Sequence, residues 1–208
     1  MLKIFIYRSY KRIKSFFTAN APLSYSGVSF YIENGNIMVG KNCNIDQLSI
    51  TIYGAEKGFP NITIGDDCYL MGNLVLYQSK AEVFIGNRTF IGPNTTFFCC
   101  KKIEILNDVM ISWGCTLIDT NAHSIKSEER LDDVVAWKKG WQYKDWSKVE
   151  SHSIRVEERC WVGFNSIVSK GVTLMVGSIV AAGSVVTKST PPFTVIGGNP
   201  AVVIKQTV

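Results

Sequence analysis

Histidine is the side chain best suited to proton transfer near neutral pH, and this 208-residue chain contains only two, His123 and His152. His123 ends the run LIDTNAH, in which Asp119 and Asn121 lie near enough in sequence to orient its ring. A histidine held in this way can act as a general base and remove the proton from a weakly nucleophilic hydroxyl. Taken alone, His123 is explained more simply as a surface-loop histidine, and His152 is predicted to be a loop residue.

Amide and aromatic side chains suggest where a substrate could be held. Asn94, in TFIGPNTTF, can hydrogen-bond a hydroxyl or carbonyl oxygen, or it can simply form a turn after Pro93. The polar segment 121–153 carries four aromatic residues close together: Trp137, Trp141, Tyr143 and Trp146. Such rings stack on sugars or clamp a loop onto the body of a protein. Both interpretations stay open for each group.

The cysteines do not indicate a disulfide framework, a metal site or a functional thiol. Four of them each follow an aliphatic residue by four positions: Cys43, Cys68, Cys115 and Cys160. They are therefore predicted to be small buried side chains. The adjacent Cys99 and Cys100 have no second pair at metal-binding spacing. A hydratase-type zinc site needs three histidines, so the sequence predicts no metal.

A period of six residues organises the chain. In the C-terminal part, aliphatic residues occupy every sixth position: Val156, Val162, Val168, Leu174, Val180 and Val186. A small residue follows four positions later in each of the first five repeats: Cys160, Ser166, Val172, Ser178 and Ser184. The same spacing recurs earlier, with a slip of two residues between the fourth and fifth positions: Ile85, Ile91, Phe97, Ile103, Ile105, Ile111 and Leu117. Shorter traces begin at Val39 and Ile64.

This period predicts an all-β solenoid. An α-helix repeats every 3.6 residues and a continuous strand every two, whereas a short strand and a turn together repeat every six. Each coil buries aliphatic side chains that it cannot cover alone, and stacked neighbours complete the core. The segment 121–153 breaks the period and is interpreted as a long excursion loop, a kind of segment that is usually functional.

Composition and charge narrow the functional classes. Hydrophobic residues make up 46% of the chain and charged residues 19%, which predicts a globular protein. We find neither an apolar run long enough to span a membrane nor a secretory signal, so we expect a cytoplasmic protein. Five of the 22 basic residues lie in the first 14 positions, and the remaining 17 balance the 17 acidic ones. No basic groove for nucleic acid is therefore predicted.

The basic N-terminal segment has two possible roles. Residues 1–20 place apolar side chains on one helical stripe: Leu2, Phe5, Ile6, Tyr10, Ile13 and Phe17. A basic amphipathic helix of this kind can dock peripherally at the inner face of an anionic membrane. It can equally cap the open end of the solenoid. Co-sedimentation with anionic liposomes distinguishes the two.

The stretch from Trp161 to Lys205, which contains WVGFNSIVSKGVTL and VIGGNPAVVIK, resembles the hexapeptide-repeat acetyltransferases. This family includes galactoside, maltose, xenobiotic and capsular polysaccharide O-acetyltransferases. The resemblance is very specific over 156–205, clear over 85–123 and loose before that. It implies a left-handed parallel β-helix over 37–205, and the basic amphipathic segment 1–36, whether cap or membrane-docking helix, precedes it. It also implies a homotrimer with active sites between neighbouring subunits.

The resemblance also implies roles for particular residues. His123 matches the catalytic base of the family, and Asn94 matches an asparagine on the acceptor side, where Trp141, Tyr143 and Trp146 would also bind substrate. The donor is acetyl-coenzyme A, and its contacts would involve five positions: Phe164, Ala182, Thr187, Lys188 and Lys205. One position departs from the family, because Val202 follows Gly-Asn-Pro-Ala where a basic residue is usual.

The function that follows is an acetyl-CoA-dependent O-acetyltransferase. Its acceptor would be a sugar hydroxyl in a bacterial surface polysaccharide, capsular or O-antigen, or in a precursor. The alternative is an N-acetyltransferase of a nucleotide-linked amino sugar, since an amine also needs a base. Many of those enzymes add an N-terminal nucleotide-binding domain, and only about 36 residues precede the repeats here. The donor motif argues against a scaffold without activity.

Overall fold

The computed structural model describes residues 2–5, 30–31, 36–140 and 143–207. Its strands, in chain order, are β1 (Leu2–Phe5), β2 (Phe30–Tyr31), β3 (Ile37–Val39), β4 (Asn44–Ile52), β5 (Ile62–Ile64), β6 (Tyr69–Leu76), β7 (Glu82–Ile85), β8 (Phe90–Ile91), β9 (Thr96–Cys99), β10 (Lys102–Ile105), β11 (Met110–Ile111), β12 (Thr116–Ile118), β13 (Ile154–Val156), β14 (Trp161–Val162), β15 (Ile167–Ser169), β16 (Thr173–Leu174), β17 (Ile179–Val180), β18 (Val185–Val186), β19 (Thr194–Gly198) and β20 (Ala201–Gln206).

These strands coil into a left-handed parallel β-helix with three faces, which confirms the predicted fold class. The first face stacks β3, β5, β7, β10, β13 and β16, with β2 antiparallel at its edge. The second stacks β8, β11, β14, β17 and β19, with β20 antiparallel to β19. The third stacks β9, β12, β15 and β18. The long strands β4 and β6 run across the second and third faces together.

The core consists of the residues that the six-residue period selects. All six aliphatic positions from Val156 to Val186 are fully buried, and so are the seven from Ile85 to Leu117. The two-residue slip falls inside β10, where Ile103 and Ile105 both point inward because alternate residues of a strand share a face. Cys68, Cys115 and Cys160 are buried as predicted, whereas Cys43 is only partly buried.

The corners between faces need a backbone conformation that most residues avoid. Successive corners of the C-terminal coils place one residue at positive φ, between 54° and 76°, again every six residues: Arg159, Asn165, Gly171, Gly177 and Gly183. Glycine and asparagine adopt this left-handed region at low cost. In β6 the corresponding bend lies at Gly72, with φ 132°, and a Cβ there would lie 2.4 Å from the carbonyl oxygen of Thr95. Only glycine fits that bend.

The excursion leaves the solenoid after β12 and rejoins it at β13, and it contains two short helices, α1 (Ser127–Arg130) and α2 (Asp133–Lys139). The sequence predicts a long loop here, and the structure shows that part of it is helical. Helix α2 forms because Asp133 lies in its first turn, lysines lie in its last turn, and Gly140 caps its C-terminus through the carbonyls of Ala136 and Trp137. The ends of the excursion meet where Thr120 bridges to Ser151.

The N-terminal helix predicted over residues 1–20 is wrong at its start. Leu2–Phe5 forms strand β1, which pairs antiparallel with Ser49–Ile52 of β4. An unpaired edge of β4 offers more backbone hydrogen bonds to these residues than an isolated helical turn does. Residues 6–20 of the stripe lie outside the described residues. Within the described ranges no helix has the length and apolar character needed to cross a bilayer.

Candidate active site

His123 lies at the mouth of the excursion, and its ring is held by the first turn of α2. The His123 Nδ1 atom is 2.5 Å from Oδ2 of Asp133, whose side chain is 11% exposed. An ionised carboxylate only accepts hydrogen bonds, so Nδ1 carries the proton in this pair. The other ring nitrogen, Nε2, is then left with a lone pair. Because 37% of the imidazole is exposed, a substrate can approach it.

A buried lysine shares the same carboxylate oxygen. The Nζ atom of Lys144 lies 2.5 Å from Oδ2 of Asp133 and 3.3 Å from Nδ1 of His123, and none of the Lys144 side chain is exposed. Its ammonium also lies 5.1 Å from the ring centres of both Trp137 and Trp146, a cation–π distance. His123, Asp133 and Lys144 thus form one cluster, here called the excursion triad.

The carboxylate of this triad is ionised at neutral pH. Burial raises the pKa of Asp133, but hydrogen bonds from Lys144 and His123 lower it by more, so the net pKa lies below its ordinary value. A buried carboxylate is tolerated here because the ammonium compensates its charge.

The two residues that the sequence suggested as partners of the histidine have other roles. The carboxylate of Asp119 is fully buried and accepts hydrogen bonds from the backbone N–H groups of Cys100, Lys101 and Lys102 at 2.7–2.9 Å. Burial raises the pKa of Asp119. Asn121 is directed to the carboxylate of Glu150 at 3.3 Å. Asp119 therefore fixes the corner from which the excursion departs, and Asp133 orients His123.

Sequence reasoning missed Asp133 and Lys144 because the excursion was treated as a loop. The signal available was the run DDVVAWKKG, with acids first, lysines last and a glycine stop, which is typical of a short helix. His152, the second histidine, is exposed; its ring lies 2.7 Å from Glu150, and its backbone bonds to Asp119 and Gly171. In the described part of the chain, no three His, Cys, Asp or Glu side chains gather as a metal site requires.

The aromatic residues of the excursion pack it against the solenoid. Trp146 stacks on Tyr77 with ring centres 5.2 Å apart, and Trp137 meets His123 edge-on at 4.9 Å. Burial raises the pKa of Tyr77, so its hydroxyl stays protonated. Tyr143 is exposed. Trp141 lies outside the described residues. These contacts are those of a clamp, and substrate binding by Tyr143 and Trp146 stays a prediction.

Asn94 and part of the predicted donor site share the corner between the second and third faces. Backbone hydrogen bonds connect this corner from coil to coil, from Gly114 to Pro93, from Asn165 to Trp113 and from Gly183 to Phe164, at 2.8–3.0 Å. Asn94 is an exposed turn residue with φ 60°. Its positive φ accounts for the turn role, and a substrate contact stays a prediction.

The donor side of this corner offers a flat aromatic surface beside exposed backbone. Phe164 stacks face to face on Trp113, with ring centres 4.9 Å apart and planes at 2°. Trp113 was not among the residues predicted from the sequence. It lies 20 residues after Pro93, because one coil comprises three six-residue repeats, or 18 residues, and the slip in β10 adds two. Ala182 is exposed, and a Cβ on the neighbouring Gly163 would lie 2.7 Å from the Ala182 backbone nitrogen.

The remaining predicted donor residues lie elsewhere on the coil. Thr187 and Lys188 directly follow β18, at the corner between the third and first faces, and both are exposed. Lys205 is exposed on β20, opposite Val195. His123 lies at the same corner as Lys188, while Asn94, Phe164 and Ala182 lie at the far edge of the third face. Each corner therefore holds part of the predicted acceptor site and part of the predicted donor site, and one chain does not bring His123 together with Asn94, Phe164 and Ala182.

Comparisons with known proteins agree with the fold and the repeat. Residues 153–188 match the family model described as the hexapeptide repeat of succinyl-transferase. A galactoside O-acetyltransferase of Lactococcus lactis is 28% identical over 168 residues, which covers 81% of this chain. The chain spans 62% of the length of that relative.

Two solved structures show the same fold. The polySia-specific acetyltransferase NeuO superposes with a TM-score of 0.62 at 24% identity, covering 83% of this chain and 72% of that one. A D94N variant of AntD, an N-acyltransferase from Bacillus cereus in complex with dTDP and coenzyme A, gives a TM-score of 0.57 at 20% identity, with coverage of 82% and 81%. At such identities these likenesses establish architecture alone.

Proposed function

We propose that this chain, which belongs to the hexapeptide-repeat acetyltransferase family, transfers an acetyl group from acetyl-CoA to a sugar hydroxyl. The acceptor we propose is a bacterial surface polysaccharide, capsular or O-antigen, or its precursor. One arrangement carries the proposal: His123 is fixed through Nδ1 by Asp133 and remains partly exposed. A hydroxyl needs such a base before it attacks a thioester.

The mechanism follows from the orientation of the ring. Asp133 accepts the Nδ1 hydrogen, so the Nε2 lone pair of His123 takes the proton of the acceptor hydroxyl as its oxygen attacks. When bound, acetyl-CoA supplies a thioester carbonyl, and the new C–O bond replaces the C–S bond. The imidazolium of His123 then returns the proton to the departing sulfur. Asp133 stabilises that imidazolium during the step, as carboxylates do in other base–orienter pairs.

The donor-side residues fit a long, thin molecule with phosphates at one end. Ala182 is small and exposed, and the buried Gly163 lets the coil that carries Ala182 pack closely against its own coil. An extended arm can lie along this surface, and the exposed ring of Phe164 can cover part of it. Lys188 and Lys205 are the exposed cations that we assign to the phosphates. Val202 is also exposed and brings no charge, so these two lysines would meet the phosphates without the family's usual basic neighbour.

We further propose a homotrimer in which two chains complete each site. Two observations support it. The acceptor base and the Phe164 corner lie at opposite edges of the third face, so a neighbouring copy is needed to bring them together. The second face also presents a column of large apolar side chains on successive coils, in which Tyr69, Met110 and Trp161 are exposed and Phe90, between Tyr69 and Met110, is half-buried. Exposed apolar patches of this kind mark interfaces.

Met110→Glu is expected to convert the trimer to monomers and to lower transfer activity at least tenfold. A carboxylate buried in an apolar interface must leave water without a partner, which opposes assembly. Light scattering reports the mass and a thiol-release assay the activity. Met175→Glu is the matched control, because Met175 is exposed and lies at the corner between the first and second faces, outside this column. An active monomer would refute the shared site.

The chemistry itself is tested with purified protein, acetyl-CoA and a panel of sugars and polysaccharides. We expect free thiol to accumulate only with a hydroxyl acceptor, and the product to gain one acetyl group that mild alkali removes as an ester. The second candidate, N-acetylation of a nucleotide-linked amino sugar, is favoured by the architecture shared with AntD. An alkali-stable product formed only from amine acceptors would decide for that candidate and against ours.

A further inference from the structure

We propose that Lys144 is a positioning residue that holds His123 in the tautomer and protonation state a base requires, by sharing the carboxylate of Asp133. The inference deepens the proposed function and rests on His123 acting as the base. It comes from the excursion triad, in which one carboxylate oxygen lies 2.5 Å from both Nδ1 of His123 and Nζ of Lys144.

The charge of Lys144 opposes protonation of the ring. A carboxylate paired with histidine alone stabilises the imidazolium, and a base that keeps its proton cannot accept another. Here the ammonium lies 3.3 Å from His123 Nδ1 and neutralises Asp133, so the ring faces an ion pair of zero net charge. The ring is still anchored, because Asp133 accepts its Nδ1 hydrogen.

The surroundings leave the ammonium no other strong partner among the described residues. Trp137 and Trp146 cover it from two sides, and neither ring carries a charge. On the solenoid, the thiol of Cys100 interacts electrostatically with Lys144, and burial raises the pKa of this thiol to about 12, so it is uncharged near neutral pH. The adjacent Asp145 is exposed, and its carboxylate is occupied by Ser147. The charge of Lys144 is thus directed at Asp133 and His123.

Stability alone does not account for a lysine at this position. Burying an ammonium is costly even when it is paired, and apolar side chains of similar volume often stabilise such a site better. Methionine would fill the space between Trp137 and Trp146 without that cost. What methionine cannot do is offset the charge of Asp133 next to the ring.

The test measures the proton on His123 directly. With His152 replaced by glutamine, the protein has one histidine, and NMR of its imidazole ring gives both the tautomer and the pH of half-protonation. In Lys144→Met and Lys144→Gln we expect that pH to rise by about one unit or more, the effect of removing one charge at this distance even in a high dielectric. Lys144→Arg should change it little, and Lys148→Met, at an exposed lysine, should leave it unchanged.

Several results would overturn the inference. An unchanged midpoint in both neutral variants would show that the charge of Lys144 does not act on the ring. An equal rise in Lys144→Arg or Lys148→Met would assign the effect to structure rather than charge. Should the neutral variants fail to fold, the protein with Lys144 intact still decides the matter, because a neutral ring protonated on Nε2 contradicts the arrangement. None of these measurements needs a substrate, so they stand whether or not acetyl transfer is found.

The same variants give a kinetic reading once an acceptor is known. In Lys144→Met, the acid limb of the profile of kcat against pH should shift to higher pH, by the same amount as the NMR midpoint. At high pH, where the ring is unprotonated in every variant, kcat should recover to within a few fold of the original protein. A merely structural role would depress kcat at all pH values alike.

Discussion

His123→Ala is expected to lower turnover by roughly 10²–10⁴-fold, the usual contribution of a positioned general base. The loss should appear in kcat, because the base acts on the proton only as the new bond forms. Binding of coenzyme A should change little, since the donor residues Phe164 and Ala182 lie at the opposite edge of the third face from His123. Thiol release gives kcat, and calorimetry gives the affinity for coenzyme A.

His152→Ala is the natural control for this experiment, because it removes the only other histidine, an exposed one that contacts Glu150. We expect that variant to keep nearly full activity. If His123→Ala turned over at the original rate, or if His152→Ala lost as much, the base would have been assigned to the wrong residue.

Asp133→Asn is expected to lower turnover by roughly 10²-fold or more. An amide of the same shape no longer fixes the Nδ1-protonated tautomer or stabilises the imidazolium, and in base–orienter pairs that loss is large. The change also leaves the ammonium of Lys144 buried without a counter-charge, an arrangement that costs about 3–5 kcal/mol. The cost should appear first as faster proteolysis within the excursion, while circular dichroism of the solenoid is retained.

The neighbouring Asp132→Asn provides a matched control, since Asp132 is exposed and its side chain makes no capping hydrogen bond. That variant should match the original protein in kcat and in resistance to proteolysis. Full turnover by Asp133→Asn would mean that another group orients His123.

The sign of the pH effect at Asp133 is also fixed. Hydrogen bonds hold the pKa of Asp133 in the folded protein below its ordinary value of 3.8. The ionised carboxylate therefore stabilises the folded state fully above pH 3.8, and this stabilisation is lost as the pH falls through the folded-state pKa. The clamp on the excursion should therefore survive at mildly acidic pH. Proteolysis followed from neutral pH downward should show no loosening of the excursion until strongly acidic conditions.

The fold could be predicted from the sequence because the same pattern of buried residues repeats in every coil. A solenoid imposes one burial pattern on every coil, so each aliphatic position from Val156 to Val186 independently reports the same period. The slip of two residues could also be detected in the sequence, since Ile103 and Ile105 follow the alternation of buried and partly exposed residues within a single strand. The β1 strand was not readable, because whether Leu2–Phe5 pairs with β4 or starts a helix depends on an edge that only the tertiary structure provides.

The site was accessible only in part, for the opposite reason. His123 could be identified from its resemblance to a family position, but the excursion has no period, and nothing in local sequence links a histidine to an aspartate ten residues later. Asp119 was the nearer candidate in sequence, yet three backbone N–H groups engage its carboxylate. His123 and Lys144 contact the same oxygen of Asp133 only in the folded structure, and the spacing of these residues in the sequence does not predict it.

The excursion also bears on how the chain folds. Most coils close by pairing residues about 20 positions apart, as Ile103 does with Val83, whereas Ile103 meets its next neighbour, Ile154, 51 positions later. Loop-closure entropy grows only with the logarithm of loop length, so this longer closure adds less than about 1 kcal/mol. The solenoid can thus carry an insertion between two coils at little cost in loop-closure free energy. The insertion can vary in length and sequence while the ladder around it keeps its register.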